Sequence, residues 1–166
     1  MSYRIVPTAE TYFHSLYLAL DSVCREQKYL AFLQAPPREL SLDFYHSVLA
    51  HDDCQFLALR VKEAEEVIGW CDILPRHGEA RAHVGTLGMG LIASARHQGL
   101  GTQLISATLD KAKSKGMTRI ELTVRVDNRP ALSLYERFGF KIEAQQPRSL
   151  KIANQYIDAY AMALLC

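Results

Sequence analysis

No two cysteines of this chain are close enough in sequence to form a metal or redox motif. Cys24, Cys54, Cys71 and Cys166 lie far apart with no Cys-x-x-Cys pair, which argues against zinc and against a disulfide framework. That usage predicts a reducing, cytoplasmic setting and no metal. Charge of one sign is lacking too: 19 Lys and Arg face 18 Asp and Glu, so there is no electrostatic footprint for nucleic acid or an anionic membrane surface. No apolar run reaches the roughly 18 residues that suggest a membrane span, and Met1-Ser-Tyr-Arg-Ile-Val-Pro-Thr8 holds no signal-peptide apolar region, so a soluble protein is expected. Internal repeats, low-complexity tracts and linkers are also missing. At 166 residues the chain reads as one domain, 1–166, long enough to bury a core without disulfides or metals.

Two common phosphate-binding spellings are absent as well. An apolar segment ending at Leu91 runs into a turn with Arg96, Gly99 and Gly101, and a helical period of apolar residues follows at once. Glycines there let backbone N–H groups approach an oxyanion, and the helix adds unpaired donors and its positive dipole end. An anionic ligand is expected. No Lys follows Gly101, which rejects a P-loop, and position 96 is Arg, which rejects the three-glycine dinucleotide fingerprint.

What stands there instead, Arg96-His97-Gln98-Gly99-Leu100-Gly101, resembles the Arg/Gln-x-x-Gly-x-Gly/Ala pattern of the GNAT superfamily of N-acetyltransferases. The downstream run from Ile120 through Asn128, Ala131 and Leu134-Tyr135-Glu-Arg-Phe-Gly139-Phe140 resembles that family's next signature. The resemblance implies a GNAT fold of the α/β (α+β) kind, a mixed twisted sheet of six or seven strands with about four helices. It implies acetyl-CoA as cosubstrate, no metal, and transfer of acetyl to a primary amine of a small molecule, an amino acid among them, or of a protein N-terminus. A homodimer is the family's common habit. By the same resemblance, the pyrophosphate is held by Arg96 to Thr102, the pantetheine arm by Met89, Gly90 and Leu91, and further cofactor contacts come from Asn128 and Ala131. Tyr135 would face the sulfur and act as general acid. The residue-level alternatives are a plain helix cap for Asn128 and a core aromatic for Tyr135.

One departure from the family pattern leaves the base open. Many members carry a Glu near the position of Gly85 or Thr86, and this chain has none. Asp72, His83 and Glu121 are the ionisable alternatives nearby. In a strand, Asp72 shares a face with Trp70, and an acid there either meets a cationic partner or sits at a wet rim. A non-catalytic acetyl-CoA-binding or sensing module is the alternative if no base exists. Tyr29, Phe32 and Phe44 are candidate acceptor-pocket residues by resemblance, or simply core aromatics.

Along the chain, Tyr3–Val6 reads as a strand. A helix capped by Thr8 and running to about Lys28 follows, then a second helix over 41–50 beyond Pro36-Pro37. Strands over 55–61 and 67–74 form a hairpin, and a long strand over 82–92 feeds the loop, its glycines Gly85, Gly88 and Gly90 suggesting a bulge and close ligand approach. A helix to Gly116, a strand over 120–126 in parallel with its predecessor, and a helix from Pro130 to Gly139 come next. A short strand over 140–144, a polar link and a final segment over 151–165, with a bend at Asn154, close the chain.

Overall fold

The computed structural model describes residues 1–166, and its strands pair into a single seven-stranded sheet in the order β1-β2-β3-β4-β5-β7-β6. The elements run β1 (Ser2–Pro7), α1 (Phe13–Arg25), α2 (Arg38–Ala50), β2 (Cys54–Val61), β3 (Glu65–Pro75), β4 (Val84–Leu91), α3 (Leu100–Ser114), β5 (Arg119–Arg125), α4 (Arg129–Arg137), β6 (Lys141–Ile152) and β7 (Gln155–Leu165). No helix is long and apolar enough to cross a membrane. Alternation along β2, β3 and β4 sends Cys54, Ala58, Cys71, Ile73 and Leu87 to one face, where Leu100, Leu104, Ile105 and Leu109 of α3 cover them. Leu57, Leu59 and Trp70 go to the other face, under Phe13, Leu16 and Val23 of α1 and Tyr45 of α2.

Several expectations shift. Thr8 caps no helix: its hydroxyl bonds Gln55 instead, and α1 starts at Phe13 after a short 3-10 turn. It stops at Arg25, short of Lys28, because Gln27 takes φ 55°. The second helix begins at Arg38, directly after Pro37, rather than at Ser41. The polar link after Ala144 belongs to β6, kinked between Gln146 and Leu150, where Arg148 sits at φ 53° and donates its N–H to Asp158. The bend at Asn154 is present, with Ala153 and Asn154 at φ 49° and 61° closing the β6–β7 hairpin.

What this topology does for function happens at the centre. β4 and β5 are parallel, joined through α3, but they pair only over Val84–Thr86 against Arg119–Glu121. Beyond Thr86 the two strands part.

Candidate active site

The gap between β4 and β5 opens into a cleft of about 350 Å³, lined on one side by Leu87 to Leu91 and on the other by Thr123, Val124 and Arg125. Its roof is the Arg96–Thr102 loop together with Asn128, Ala131, Leu134 and Tyr135 of α4. Backbone direction makes the β4 wall polar. Arg76 donates its N–H to Val84 and Ile92 donates to Ile68, so the even-numbered residues of β4 carry the ladder to β3. Met89 and Leu91 therefore aim their N–H and C=O groups into the gap, where β5 has already turned away. Arg96 Nε takes up the Leu91 carbonyl at 3.0 Å, leaving the Leu91 N–H and both Met89 groups to whatever occupies the cleft.

The loop above is built from unsatisfied donors. His97 and Gly99 are in the left-handed region, at φ 61° and 77°, and α3 starts at Leu100. The first helical bond of this end runs from the Gln103 N–H to the Gly99 carbonyl, and none of the N–H groups of residues 97–102 has a partner in the protein. Such a concave run of amides on a helix N-terminus is a seat for phosphate oxygens. Gly101 lets the helix lie close: a Cβ there would come within 3.2 Å of Leu134.

Residues 17–140 match the acetyltransferase (GNAT) family profile. The chain belongs to the GNAT family. It is 31% identical over 99 residues to the L-amino acid N-acetyltransferase AaaT of Escherichia coli (strain K12), a match covering 59% of this chain and 61% of that one, so it spans about three fifths of that relative's length. Its fold is that of a GNAT-family acetyltransferase from Streptococcus pneumoniae (24% identity, TM-score 0.87, 99% of each chain). It is likewise that of the phosphinothricin acetyltransferase of Sinorhizobium meliloti solved in complex with AcCoA (14% identity, TM-score 0.90, 99% of this chain and 89% of that one).

Against that GNAT cleft the candidate residues separate. Tyr135 is 7% exposed, packs against Phe140 and lines the cleft; its hydroxyl bonds no protein group, and burial raises its pKa so that it keeps its proton at neutral pH. Asn128 lines the cleft and also caps α4, its Oδ1 accepting the Ala131 N–H at 3.3 Å. Leu100 is core, and Gln98 turns out to the Ser94 carbonyl; both bring only their backbone N–H to the loop. Arg96 is already engaged: its guanidinium grips Glu26, at 2.8 Å for the Nη1 bond, and stacks over Tyr29 at 4.8 Å. It fastens the loop to the end of α1, so any contact it makes with a phosphate comes from a guanidinium that lines the cleft but is already paired with Glu26.

Asp72 sits on β3 opposite Gly88, on the α1/α2 face with Trp70; it is only partly accessible and does not itself line the cleft, which it borders through Gly88. It has no cationic partner; burial pushes its carboxyl up to about 7, partly offset by a hydrogen bond from Gln55. His83 is exposed and precedes β4 at the end away from the cleft, roughly 25 Å along the strand from Leu91. Glu121 pairs with Arg76 and Arg119, each at 3.3 Å, and lies outside the cleft. Neither position suits a base. Tyr29 lines the cleft, whereas Phe32 is 58% exposed in a separate shallow depression with Pro36 and Leu40, and Phe44 points outward on α2. Gln55 and Glu26 were not legible as site residues, because only the β2–β3 register and the return of the loop onto α1 bring them here.

Proposed function

We propose that this protein transfers acetyl from acetyl-CoA to a primary amine of a small molecule or a protein N-terminus. The observation that carries the reading is the seam between β4 and β5, with unpaired amides of residues 97–102 at one end and the Met89 backbone groups and Leu91 N–H along its wall. These fit the two ends of the cosubstrate: phosphate oxygens on the loop, and the amides of the pantetheine arm as a partial extra strand on β4. His97, Gly99, Gly101 and Thr102 would hold the former, Met89, Gly90 and Leu91 the latter, with Asn128 and Ala131 beside the arm.

In this reading Asp72 takes a proton from the acceptor ammonium, whose lone pair then attacks the thioester carbon. The Leu91 N–H polarises the carbonyl oxygen, and Tyr135 protonates the sulfur as the carbon–sulfur bond breaks. A carboxylate near pH 7 sits about one unit below a peptide α-amine and more than three below a lysine side chain. That favours peptide N-termini and amino acid amides over lysine side chains; the name of the Escherichia coli relative separately points to α-amino acceptors. Unpaired, mostly buried cysteines support the cytoplasmic setting.

A panel of amino acids, amino acid amides, polyamines and lysine derivatives, scored by CoA release, tests this. Turnover of α-amines above ε-amines is expected. Turnover confined to ε-amines or polyamines overturns the acceptor class, and acetyl-CoA binding with no turnover of any amine would leave a sensing module.

A further inference from the structure

Gln55 is an amide buried to 3% exposure on a sheet face otherwise covered by Leu57, Trp70 and the aromatic residues of α1 and α2. An unpaired amide there would cost about 1–3 kcal/mol, so its partners decide what it is for. The Thr8 hydroxyl meets its Oε1 at 2.7 Å, and its Nε2 donates to Asp72 Oδ2 at 3.2 Å. Thr8 is itself fixed, its N–H donating to the Gln55 carbonyl at 3.2 Å. The reverse amide orientation would set Oε1 against an ionised carboxylate. The hydrogen-bond chain thus runs from Thr8, just past β1, through Gln55 on β2 to Asp72 on β3, with the shorter of the two Thr8 hydroxyl contacts going to the Gln55 side chain.

The bond from Gln55 is the only hydrogen bond the Asp72 side chain makes, and it uses Oδ2. Oδ1 is left over, and it lies 3.4 Å from where a Cβ on Gly88 would stand. Gly88 faces Asp72 across the β3–β4 register and also lines the cleft. Around the carboxylate are Asp53 before β2, Cys71 on the same strand, and Tyr45 from α2, whose hydroxyl is buried without a partner. No Lys, Arg or His forms an ion pair with Asp72, so Gln55 is the group that stabilises its charged form.

We propose that Gln55, oriented by Thr8, is a positioning residue for Asp72: it holds one carboxylate oxygen so that the other faces the cleft through the gap at Gly88, where it accepts the proton of the amine substrate. The inference rests on the acetyltransferase reading with Asp72 as base. It makes Gly88 the point of access to the base, because a methyl group there would stand 3.4 Å from Asp72 Oδ1, between it and the substrate, without displacing backbone.

The test is a carbon-13 NMR titration of the aspartate side-chain carboxyls, with the Asp72 resonance assigned by its loss in Asp72→Asn. Gln55→Met keeps the unbranched shape and deletes the donor, and should raise the Asp72 midpoint by about one pH unit. Thr8→Val only frees the amide to turn, and should raise it by less. With an amino acid amide as probe, the acidic limb of kcat should move up by the same amounts, leaving rates near wild type at high pH. Gly88→Ala should lower kcat at least about fivefold at every pH, with its melting temperature preserved. An unmoved midpoint in both Gln55→Met and Thr8→Val, or an activity loss equal at all pH values, overturns the positioning role while leaving the acetyltransferase reading intact. Full activity in Asp72→Asn would instead remove the base and, with it, this inference.

Discussion

At the scale of single residues, the proposed mechanism needs one group that gives a proton and one that takes it, and both candidates are buried. Tyr135 carries its proton at neutral pH with or without the upward shift that burial gives it, whereas burial moves Asp72 far enough that it ionises only near neutrality. Tyr135→Phe deletes only the hydroxyl, which bonds no protein group, so the fold should melt normally while kcat falls about tenfold to a thousandfold with KM for acetyl-CoA little changed. Steady-state kinetics beside a melting curve decide it. Unchanged kcat would return Tyr135 to the core. Asp72 makes a separate prediction about stability. Its folded pKa of about 7 lies above the unfolded value near 3.9, so the native state binds the extra proton between those limits. Stability from this group is full below about pH 4 and is lost as pH rises through about 7, by up to about 1.4 kcal/mol per pH unit. Asp72→Asn removes that slope: in urea denaturation the variant should match wild type below about pH 4 and exceed it increasingly up to pH 8, while turning over far more slowly. Alternation along β3 already set Asp72 beside Trp70 in the sequence. The donor that tunes it was invisible, because Gln55 lies 17 residues away and only strand pairing joins them.

At the scale of elements, the loop before α3 was the most legible part, since its spelling alone implied donors on a helix N-terminus. What could not be read was which side chain serves the ligand and which serves the protein. Arg96 looks like a phosphate ligand in sequence, yet in the structure it joins the loop to Glu26 and Tyr29 at the end of α1. A contact spanning 70 residues leaves no local pattern. The glycines sort in the same way. A Cβ on Gly99 would meet nothing within 4 Å, so a substitution there makes no clash; what it meets is φ 77°, which a β-branched residue adopts only at a cost of about 1–2 kcal/mol or more. Gly99→Val should therefore relax the loop out of its left-handed turn and scatter the amides of residues 97–102. Isothermal titration should show acetyl-CoA affinity reduced at least about tenfold, with circular dichroism unchanged. Wild-type affinity would mean that this loop does not hold the pyrophosphate. Glu26→Gln should act more mildly on the same element, because it loosens the loop's anchor and leaves the amides in place.

At the scale of the whole molecule, the sheet is two blocks, β1-β2-β3-β4 and β5-β7-β6, that meet along three residue pairs. The number of strands and the parallel crossover followed from sequence, but the shortness of this seam did not, since strand length says nothing of where two strands diverge. Other ties cross it on the α1 side: Arg96 holds Glu26 from the β4 block, and Arg125 from β5 donates to the Lys28 carbonyl at 2.9 Å. Residues 26–30 therefore bridge the cleft, with Tyr29 and Leu30 on its wall. A cosubstrate seated between β4 and β5 adds contacts to both blocks at the line where the protein has fewest of its own. Binding to the native state alone contributes about 2.7 kcal/mol at a hundredfold excess over Kd, which for a chain of this length raises Tm by roughly 5 to 10 °C. The position of the protection distinguishes seam binding from any other. Hydrogen exchange with acetyl-CoA should slow most at the amides of Met89, Leu91 and residues 97–102, which have no partner in the protein, and next along β5. Stabilisation without protection of those amides would put the ligand elsewhere on the molecule.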